Sequence, residues 1–329
     1  MGKYFMTGGS GFIGSHFHEV IDHKQIVNFD IRKPFSHLKS TYVSGNVRNL
    51  DELEDSIVGS SPETIIALAA EHKDFGVDRE SYFLTNEYGT ENICKAASKA
   101  GVKSIIFYSS VAVYGNNKTP STESMEPKPN LPYGESKLAG EKVLRKWASE
   151  DGSRKVIIMR PAVVYGERNV ANMFRLIQQI NKGRYFNIGK GENIKSIAYV
   201  KNLVEATLYL EQELGEGVHT FNYADEPQMN SRSIGLEISK KLDKKSPVTI
   251  PYMLAMLMGV PFDLFIKLTG KDIPISTNRI KKFCTETFHK ADKIREAGFQ
   301  AKYSNLEGLQ RMVSWQKNDY DSTKEYFDV

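Results

Sequence analysis

Three groups of residues in this 329-residue chain are of the types and spacings that do chemistry. The first is a phenol and an ammonium, Tyr133 and Lys137, four residues apart and therefore on one face of any helix that contains both. A tyrosine is a poor base near neutrality, since its pKa is about 10, and lowering it by roughly 3 units takes about 4 kcal/mol of differential stabilisation. A cation beside the phenol supplies part of that. Spacing alone does not single out the pair, because Tyr114/Lys118 and Tyr320/Lys324 share it. Context does: Tyr114 runs into Asn116-Asn117, a turn, and Tyr320 sits in a polar C-terminal tail. Tyr133 instead follows Pro132 at the head of a helical run through Leu138, Val143, Leu144 and Trp147, after a strand that ends in the hydroxyls Ser109-Ser110.

The second group is Gly8, Gly11 and Gly14, spaced by three between the apolar Tyr4-Phe5-Met6 and an amphipathic segment starting at Phe12-Ile13. Strand, tight turn and helix in that order let backbone approach a diphosphate and offer it the N–H groups and positive dipole end of a helix. The third is Asp30, closing a second strand over Gln25 to Asp30, at about the separation expected of a carboxylate that holds adenosine ribose hydroxyls. Together these read as a dinucleotide site. The Arg32-Lys33 pair after Asp30 is either a solvated loop or a holder of a ribose 2′-phosphate.

The elements that must position these groups alternate. Ser40 to Val43 reads as a third strand, Gly45-Asn46-Val47-Arg48 as the start of a helix through Leu53 and Ile57, and Thr64 to Ala70 as a buried parallel strand ending in small residues. A helix is expected over Phe83 to Ala100 with Asn86 in its first turns, then a strand over Ser104 to Ser110. The fold class is α/β: a Rossmann-type doubly wound parallel sheet with a smaller C-terminal substrate domain. Residues 1–168 make the dinucleotide-binding domain, later elements near 196–224 return to it, and 169–329 make mainly the substrate domain. Thr220-Phe221-Asn222-Tyr223 reads as the returning strand.

Composition narrows the class. With 44 Lys and Arg against 40 Asp and Glu the charge is nearly balanced, which gives no footing for nucleic acid. Cys94 and Cys284 form no metal-ligand or redox pattern, so no metal is expected and a reducing cytoplasm fits. The first strand begins too early to leave room for a cleavable leader. Only Pro251 to Leu268 is unusual, apolar through Met253-Leu254-Ala255-Met256-Leu257-Met258 and flanked by Lys240, Lys241, Lys244, Lys245, Lys267 and Lys271. It reads as too short to span a bilayer, and Pro261 and Asp263 interrupt its extension. It is either a buried helix of the smaller domain or a segment lying on an anionic membrane.

Four motifs carry a resemblance that covers nearly the whole chain: Thr7-Gly8-Gly9-Ser10-Gly11-Phe12-Ile13-Gly14, Ser109-Ser110-Val111-Ala112-Val113-Tyr114-Gly115, Tyr133 with Lys137, and Arg160-Pro161-Ala162-Val163-Val164-Tyr165-Gly166. The chain resembles the extended short-chain dehydrogenases/reductases, the sugar-nucleotide epimerases and dehydratases. The resemblance implies that Ser110 bonds the reacting sugar oxygen, that Tyr133 is the acid/base, and that Lys137 bonds the nicotinamide ribose. It places Gly8, Gly11, Phe12, Ile13, Gly14, Asp30, Asn46, Val47, Ala69, Ala70 and Asn86 around the cofactor, with Asn46 where an aspartate is usual. Asp30 favours NAD over NADP. Val111 and Ala112 stand where dehydratases and decarboxylases of the family carry acids, which leaves 4-epimerisation or 4-keto reduction, with epimerisation ahead because a net reductase more often uses NADP. A homodimer through helices around 84–100 and 134–149 is also implied.

A narrower resemblance, carried by Ala69-Ala70-Glu71-His72-Lys73, Lys195-Ser196-Ile197-Ala198-Tyr199-Val200 and Arg279-Ile280-Lys281-Lys282-Phe283-Cys284, is to the 4-epimerases of N-acetylglucosamine-diphospho-undecaprenol, which serve bacterial surface-polysaccharide (O-antigen) assembly. It implies a lipid or membrane contact for the apolar segment, and a place in the cytoplasm or at the inner face of the inner membrane. Glu71 and His72 are then near the sugar, or else a packed pair. Lys195 and Arg279 are diphosphate cations, or else surface charges. A UDP-linked sugar is the alternative substrate, a nucleotide-sugar 4-ketoreductase the alternative reaction, and a silent NAD(H)-binding regulator the alternative class.

Overall fold

The structure is a computed structural model that describes residues 3–35, 38–73, 76–116, 120–269 and 276–327. Asn117, Lys118 and Lys271 of the sequence reading lie outside the described residues. Strand β1 (Tyr4–Thr7) leads through the glycine turn into α1 (Phe12–Val20), followed by β2 (Ile26–Asp30), β3 (Thr41–Ser44), α2 (Leu50–Ser60), β4 (Thr64–Ala67) and α3 (Arg79–Phe83). One π-helical turn, Leu84–Tyr88, joins α3 to α4 (Gly89–Ala100); then come β5 (Ser104–Tyr108), α5 (Pro132–Ser149) and β6 (Lys155–Pro161). The second half runs β7 (Val163–Tyr165), α6 (Asn172–Asn181), β8 (Asn187–Ile188), β9 (Ile194–Lys195), β10 (Ile197–Tyr199), α7 (Val200–Glu213), β11 (Gly217–Tyr223) and β12 (Met229–Asn230). It closes with α8 (Ser231–Lys241), β13 (Thr249–Ile250), α9 (Tyr252–Thr269), α10 (Thr277–Cys284), α11 (Asp292–Glu296) and α12 (Asn305–Asn318).

Seven strands form one sheet in the order β11-β6-β5-β4-β1-β2-β3, every pair parallel. Strands β1, β2, β4 and β5 are buried along their whole length, which is why they read as unbroken apolar runs. Apolar cores cover both faces. One holds Phe17, Ile66, Met159, Leu203 and Phe221, and the other Phe5, Leu53, Phe107, Leu144 and Trp147. Strand order reverses between β1 and β4, so a crevice opens at the carboxyl edge there, where ligands of such sheets bind. A third core, with Phe174, Ile177, Ile238, Leu309 and Met312, packs α6, α8 and α12 together, and β11 returns the chain to the large sheet beside β6.

Local reading and structure part at several places. Helix α2 begins at Leu50 and not within Gly45 to Arg48, because Asn49 caps it, its side chain accepting from Glu52 N. The helical stretch expected from Phe83 begins at Arg79, capped by Asp78, which accepts from Ser81 N. The apolar segment departs most. It is neither buried nor interrupted: α9 runs 18 residues with Pro261 inside it, and of its residues only Ala255 and Gly259 are buried. A helical φ suits proline; the Pro261 ring removes one N–H and crowds the carbonyl of Leu257, which weakens the ladder there without ending the helix. Asp263 breaks nothing, because its carboxylate turns to the start of α10 and accepts from Thr277 N at 3.0 Å and Thr277 Oγ1 at 2.6 Å. By length and composition α9 is long enough to cross a membrane, which corrects the reading that it is too short.

Candidate active site

The glycine turn is built by backbone that no other residue type would allow to close. Gly8 has φ +73°, and a Cβ there would fall 2.6 Å from Ala69 N and 2.8 Å from its Cα. A Cβ on Gly14 would fall 2.5 Å from Gly9 O, so α1 starts pressed against the turn itself. Gly11 is the N-cap of α1 and brings no side chain to its first N–H groups, which leaves them for an anion. Asp30, at the end of β2, is buried, with Oδ2 accepting from Ser10 N at 3.0 Å and Oδ1 from Arg32 N at 2.9 Å. Burial pushes its pKa up, and the two amides oppose that.

These residues fit a dinucleotide: a backbone cradle with bare helix N–H groups for a diphosphate, and a fixed carboxylate for vicinal hydroxyls. Phe12 is buried beside Val200 and Phe327, and Ile13 packs partly against them. Val47 is buried, whereas Asn46 is exposed and its Oδ1 accepts from Arg48 N at 3.0 Å.

Ala69 and Ala70 follow β4 at the edge of the crevice. The next peptide, Glu71, is gripped from both ends by Asn86, whose Oδ1 accepts from Glu71 N at 3.0 Å and whose Nδ2 donates to Glu71 O at 2.9 Å. The same Nδ2 donates to Ser136 Oγ at 2.9 Å, one residue before Lys137. Asn86 thus ties the loop after β4 to α5, and it reaches both because it sits in the π-helical turn, a distortion frequent at functional sites. A Cβ on Gly140 would come 2.5 Å from Asn86 O, so glycine there lets α5 seat on that turn. Glu71 accepts from the amides of His72 and Lys73. The His72 ring is 3.3 Å from Ala70 O through Nδ1, and burial lowers its pKa. Both residues lie in the crevice wall, held by their own loop.

Tyr133 and Lys137 come from the first two turns of α5. Tyr133 is partly exposed, its ring 6.3 Å from that of Tyr82. Lys137 is 1% exposed, its ammonium 4.2 Å over the Phe107 ring. No hydrogen bond from that ammonium is found among the described residues. Burial lowers its pKa to about 7, and Glu141, the next step along the same helix face, opposes the shift. Ser110, beyond the end of β5, is partly exposed; its Oγ accepts from Ala112 N at 3.1 Å, which leaves the hydroxyl proton to donate. Of the rival tyrosines, Tyr114 is buried and committed to Arg160 and Asn222, and Tyr320 packs among Phe174, Trp315 and Tyr326. The polar-tail reading of Tyr320 is corrected by that aromatic cluster.

Beneath the site lies a buried network that the residue-by-residue reading passed over. Glu141 accepts from Ser109 Oγ at 2.6 Å, from Arg160 Nε at 2.8 Å and from Arg160 Nη2 at 2.5 Å. Arg160 Nη1 donates to the Tyr114 hydroxyl at 2.8 Å, and that hydroxyl donates to Asn222 Oδ1 at 2.8 Å. Burial works against the Arg160 charge, but Glu141 outweighs it and raises the pKa. The signal was in the sequence, since Glu141 continues the Tyr133, Lys137 spacing by another four residues.

The structure places Lys195 away from the dinucleotide cradle. Its ammonium donates to Thr285 O at 2.5 Å and Lys282 O at 3.4 Å, the carbonyls at the end of α10, and burial lowers its pKa to about 8. Arg279, partly buried in the first turn of α10, lies on the same helix near the other end. Among the described residues no cluster of His, Cys, Asp or Glu is arranged to hold a metal.

Comparison with known proteins gives a consistent picture. Residues 4–224 match the NAD dependent epimerase/dehydratase family. The N-acetyl-alpha-D-glucosaminyl-diphospho-ditrans,octacis-undecaprenol 4-epimerase of Escherichia coli O157:H7 is 38% identical over 314 residues, 94% of this chain and 94% of that one. MoeE5 in complex with UDP-glucuronic acid and NAD superposes with a TM-score of 0.76 at 22% identity, over 97% of this chain and 100% of that one. The UDP-glucose 4-epimerase of Thermus thermophilus in complex with NAD gives 0.75 at 19% identity, over 96% and 99%.

Proposed function

The chain belongs to the NAD dependent epimerase/dehydratase family, and from that premise we propose that it is a 4-epimerase of an N-acetylhexosamine carried on a polyprenyl diphosphate. The enzyme interconverts GlcNAc- and GalNAc-diphospho-undecaprenol in surface-polysaccharide assembly. The observation that carries it is the 38% identity to the E. coli O157:H7 enzyme along 94% of both chains.

In this reading Gly8, Gly11 and Gly14 hold the diphosphate of NAD at the start of α1, and Asp30 holds the adenosine ribose hydroxyls. Phe12, Ile13, Asn46, Val47, Ala69, Ala70 and Asn86 line the rest. NAD, when bound, supplies reversible hydride exchange with the sugar carbon, so the alcohol passes through a 4-ketone and is re-formed on the other face. The proton chemistry belongs to the chain. Tyr133 takes the C4 hydroxyl proton and later returns it, and Ser110 donates a hydrogen bond to the same oxygen. Lys137 makes this feasible. Its buried ammonium is costly unless an anion stands near, and a phenolate one turn away is such an anion, so each ionised group favours the other. Val111 and Ala112 present no acid beside Ser110 to expel water, which favours epimerisation over dehydration.

Glu71 and His72 face the sugar, and Lys195 and Arg279 serve the carrier diphosphate. The protein works in the cytoplasm, against the inner face of the membrane that carries such a lipid, as a homodimer through the helices around 84–100 and 134–149. The deciding experiment offers purified protein GlcNAc-diphospho-polyprenol and UDP-GlcNAc in parallel and follows the galacto product. Turnover of the lipid-linked sugar supports the reading; turnover of UDP-GlcNAc alone overturns the carrier. Tyr133→Phe abolishes interconversion and leaves the fold and NAD content intact, and an unchanged rate in that variant refutes Tyr133 as the acid/base.

A further inference from the structure

Helix α9 exposes apolar surface that the proposed chemistry does not use. Met253, Leu257 and Leu268 are 70%, 67% and 76% exposed, and Leu264 and Val260 are more than half exposed. At about 100° per residue these five fall within one arc of the helix. Ala255, Gly259 and Asp263, spaced by four, lie on the opposite side, and that side is bound to α10. A Cβ on Gly259 would come 3.0 Å from Thr277 Cγ2 and 3.1 Å from Ile280 Cδ1, and Asp263 accepts two hydrogen bonds from Thr277. The helix therefore has a protein face and a bare face. Eighteen residues are long enough to cross a bilayer, but the middle of α9, at Gly259 and Asp263, is packed on α10, and a spanning α9 would carry the lysines of α10 into the hydrocarbon.

The charge around it is uneven. From Lys240 to Cys284 the sequence holds nine Lys or Arg and three Asp or Glu, net +6, whereas the whole chain is net +4. The remainder is thus net −2. Lys240, paired with Glu237 at 2.7 Å, and Lys241 end α8, which β13 separates from α9, and the exposed Lys281 and Lys282 lie on α10, the helix that packs against α9. A second copy of this surface would bring like charges together; an anionic lipid surface complements them.

We propose that α9 is a monotopic anchor that lies in the plane of an anionic membrane leaflet, its Met253, Leu257, Val260, Leu264 and Leu268 arc among the acyl chains and the flanking lysines on phosphate headgroups. This deepens the proposed function by naming how the enzyme meets a lipid-borne substrate, but it stands on the surface alone and its test uses no sugar. The 329-residue protein is floated with phosphatidylglycerol-containing vesicles and with pure phosphatidylcholine vesicles. It floats with the anionic vesicles and releases as salt is raised. Leu257→Glu with Leu264→Glu leaves it at the bottom of the gradient with unchanged thermal stability and NAD content. Lys241→Gln with Lys281→Gln weakens partitioning by roughly fivefold per charge. Failure of the wild type to float, or floating unaffected by the two glutamates, overturns the anchor. So does light scattering that shows a wild-type oligomer dissociated by those glutamates in the absence of vesicles, which would make α9 a protein interface. None of these failures touches the epimerase reading, which falls only on the turnover test.

Discussion

Replacing Glu141 tests whether the buried network under the site holds together as a unit. Glu141 and Arg160 are 0% and 3% exposed, joined by two hydrogen bonds, and Glu141 also accepts from Ser109 Oγ. Glu141→Gln keeps the shape and leaves the Arg160 guanidinium buried with no counter-charge, a loss of about 3–5 kcal/mol. For 329 residues the unfolding entropy is about 0.7 kcal/mol/K, so the melting temperature falls by about 4–7 °C. Arg160→Met costs less, because Arg145, 3.8 Å from Glu141 on the solvent side, takes over part of the pairing. The double replacement Glu141→Leu with Arg160→Met removes both charges together and comes back to within about 1–2 kcal/mol of wild type.

Stability returns in the double variant, but activity does not. Ser109 loses its acceptor next to Ser110, and Lys137 loses a carboxylate that supports its charge. The turnover rate of the double variant is expected to fall by about tenfold or more, equivalent to about 1.4 kcal/mol in the barrier, with KM for the sugar little changed. Urea unfolding of the wild type, Glu141→Leu, Arg160→Met and the double variant gives the coupling energy, and initial rates of galacto product give the kinetic arm. Single costs below about 1 kcal/mol that simply add in the double variant refute the network as a cooperative unit. Full activity in the double variant refutes its link to catalysis.

Two further outcomes follow from the same geometry. Lys137 has its pKa lowered from 10.5 to about 7 by burial, so between those values the unfolded chain holds a proton that the folded one has released. Stability contributed at this residue therefore rises with pH across that window, and below about pH 7 the full penalty of the buried charge applies. In NAD-free protein Lys137→Met is the more stable form at neutral pH, by up to about 4 kcal/mol, and the gap closes as pH approaches 10; a gap independent of pH refutes the assignment. Gly8→Ala forces a left-handed backbone costing roughly 1–2 kcal/mol and presses a methyl into Ala69. It is expected to purify with little NAD, measured as nucleotide released on heating, and wild-type content with a wild-type melting temperature contradicts the cradle.

Much of this molecule is legible in short stretches of sequence because the rules involved are short-ranged. The glycines at 8, 11 and 14 specify a turn through their own backbone freedom, Asp30 follows within one βαβ unit, and Tyr133 and Lys137 share a face because a helix repeats every 3.6 residues. Unbroken apolar runs mark the buried strands, and with them the doubly wound sheet. What could not be read locally depends on which strands become neighbours. Arg160 meets Glu141 across 19 residues and Tyr114 meets Asn222 across 108, because the sheet order sets β5, β6 and β11 side by side. Asn86 grips Glu71 and Ser136 because a π turn, which no periodicity announces, rotates it into place. Lys195 is held by the carbonyl end of α10, nearly ninety residues onward. For α9 the apolar pattern runs almost all round the helix and carries no sign of which side is covered. Packing answers that: the side carrying Gly259 and Asp263 touches α10, and most of the remaining apolar side chains are exposed.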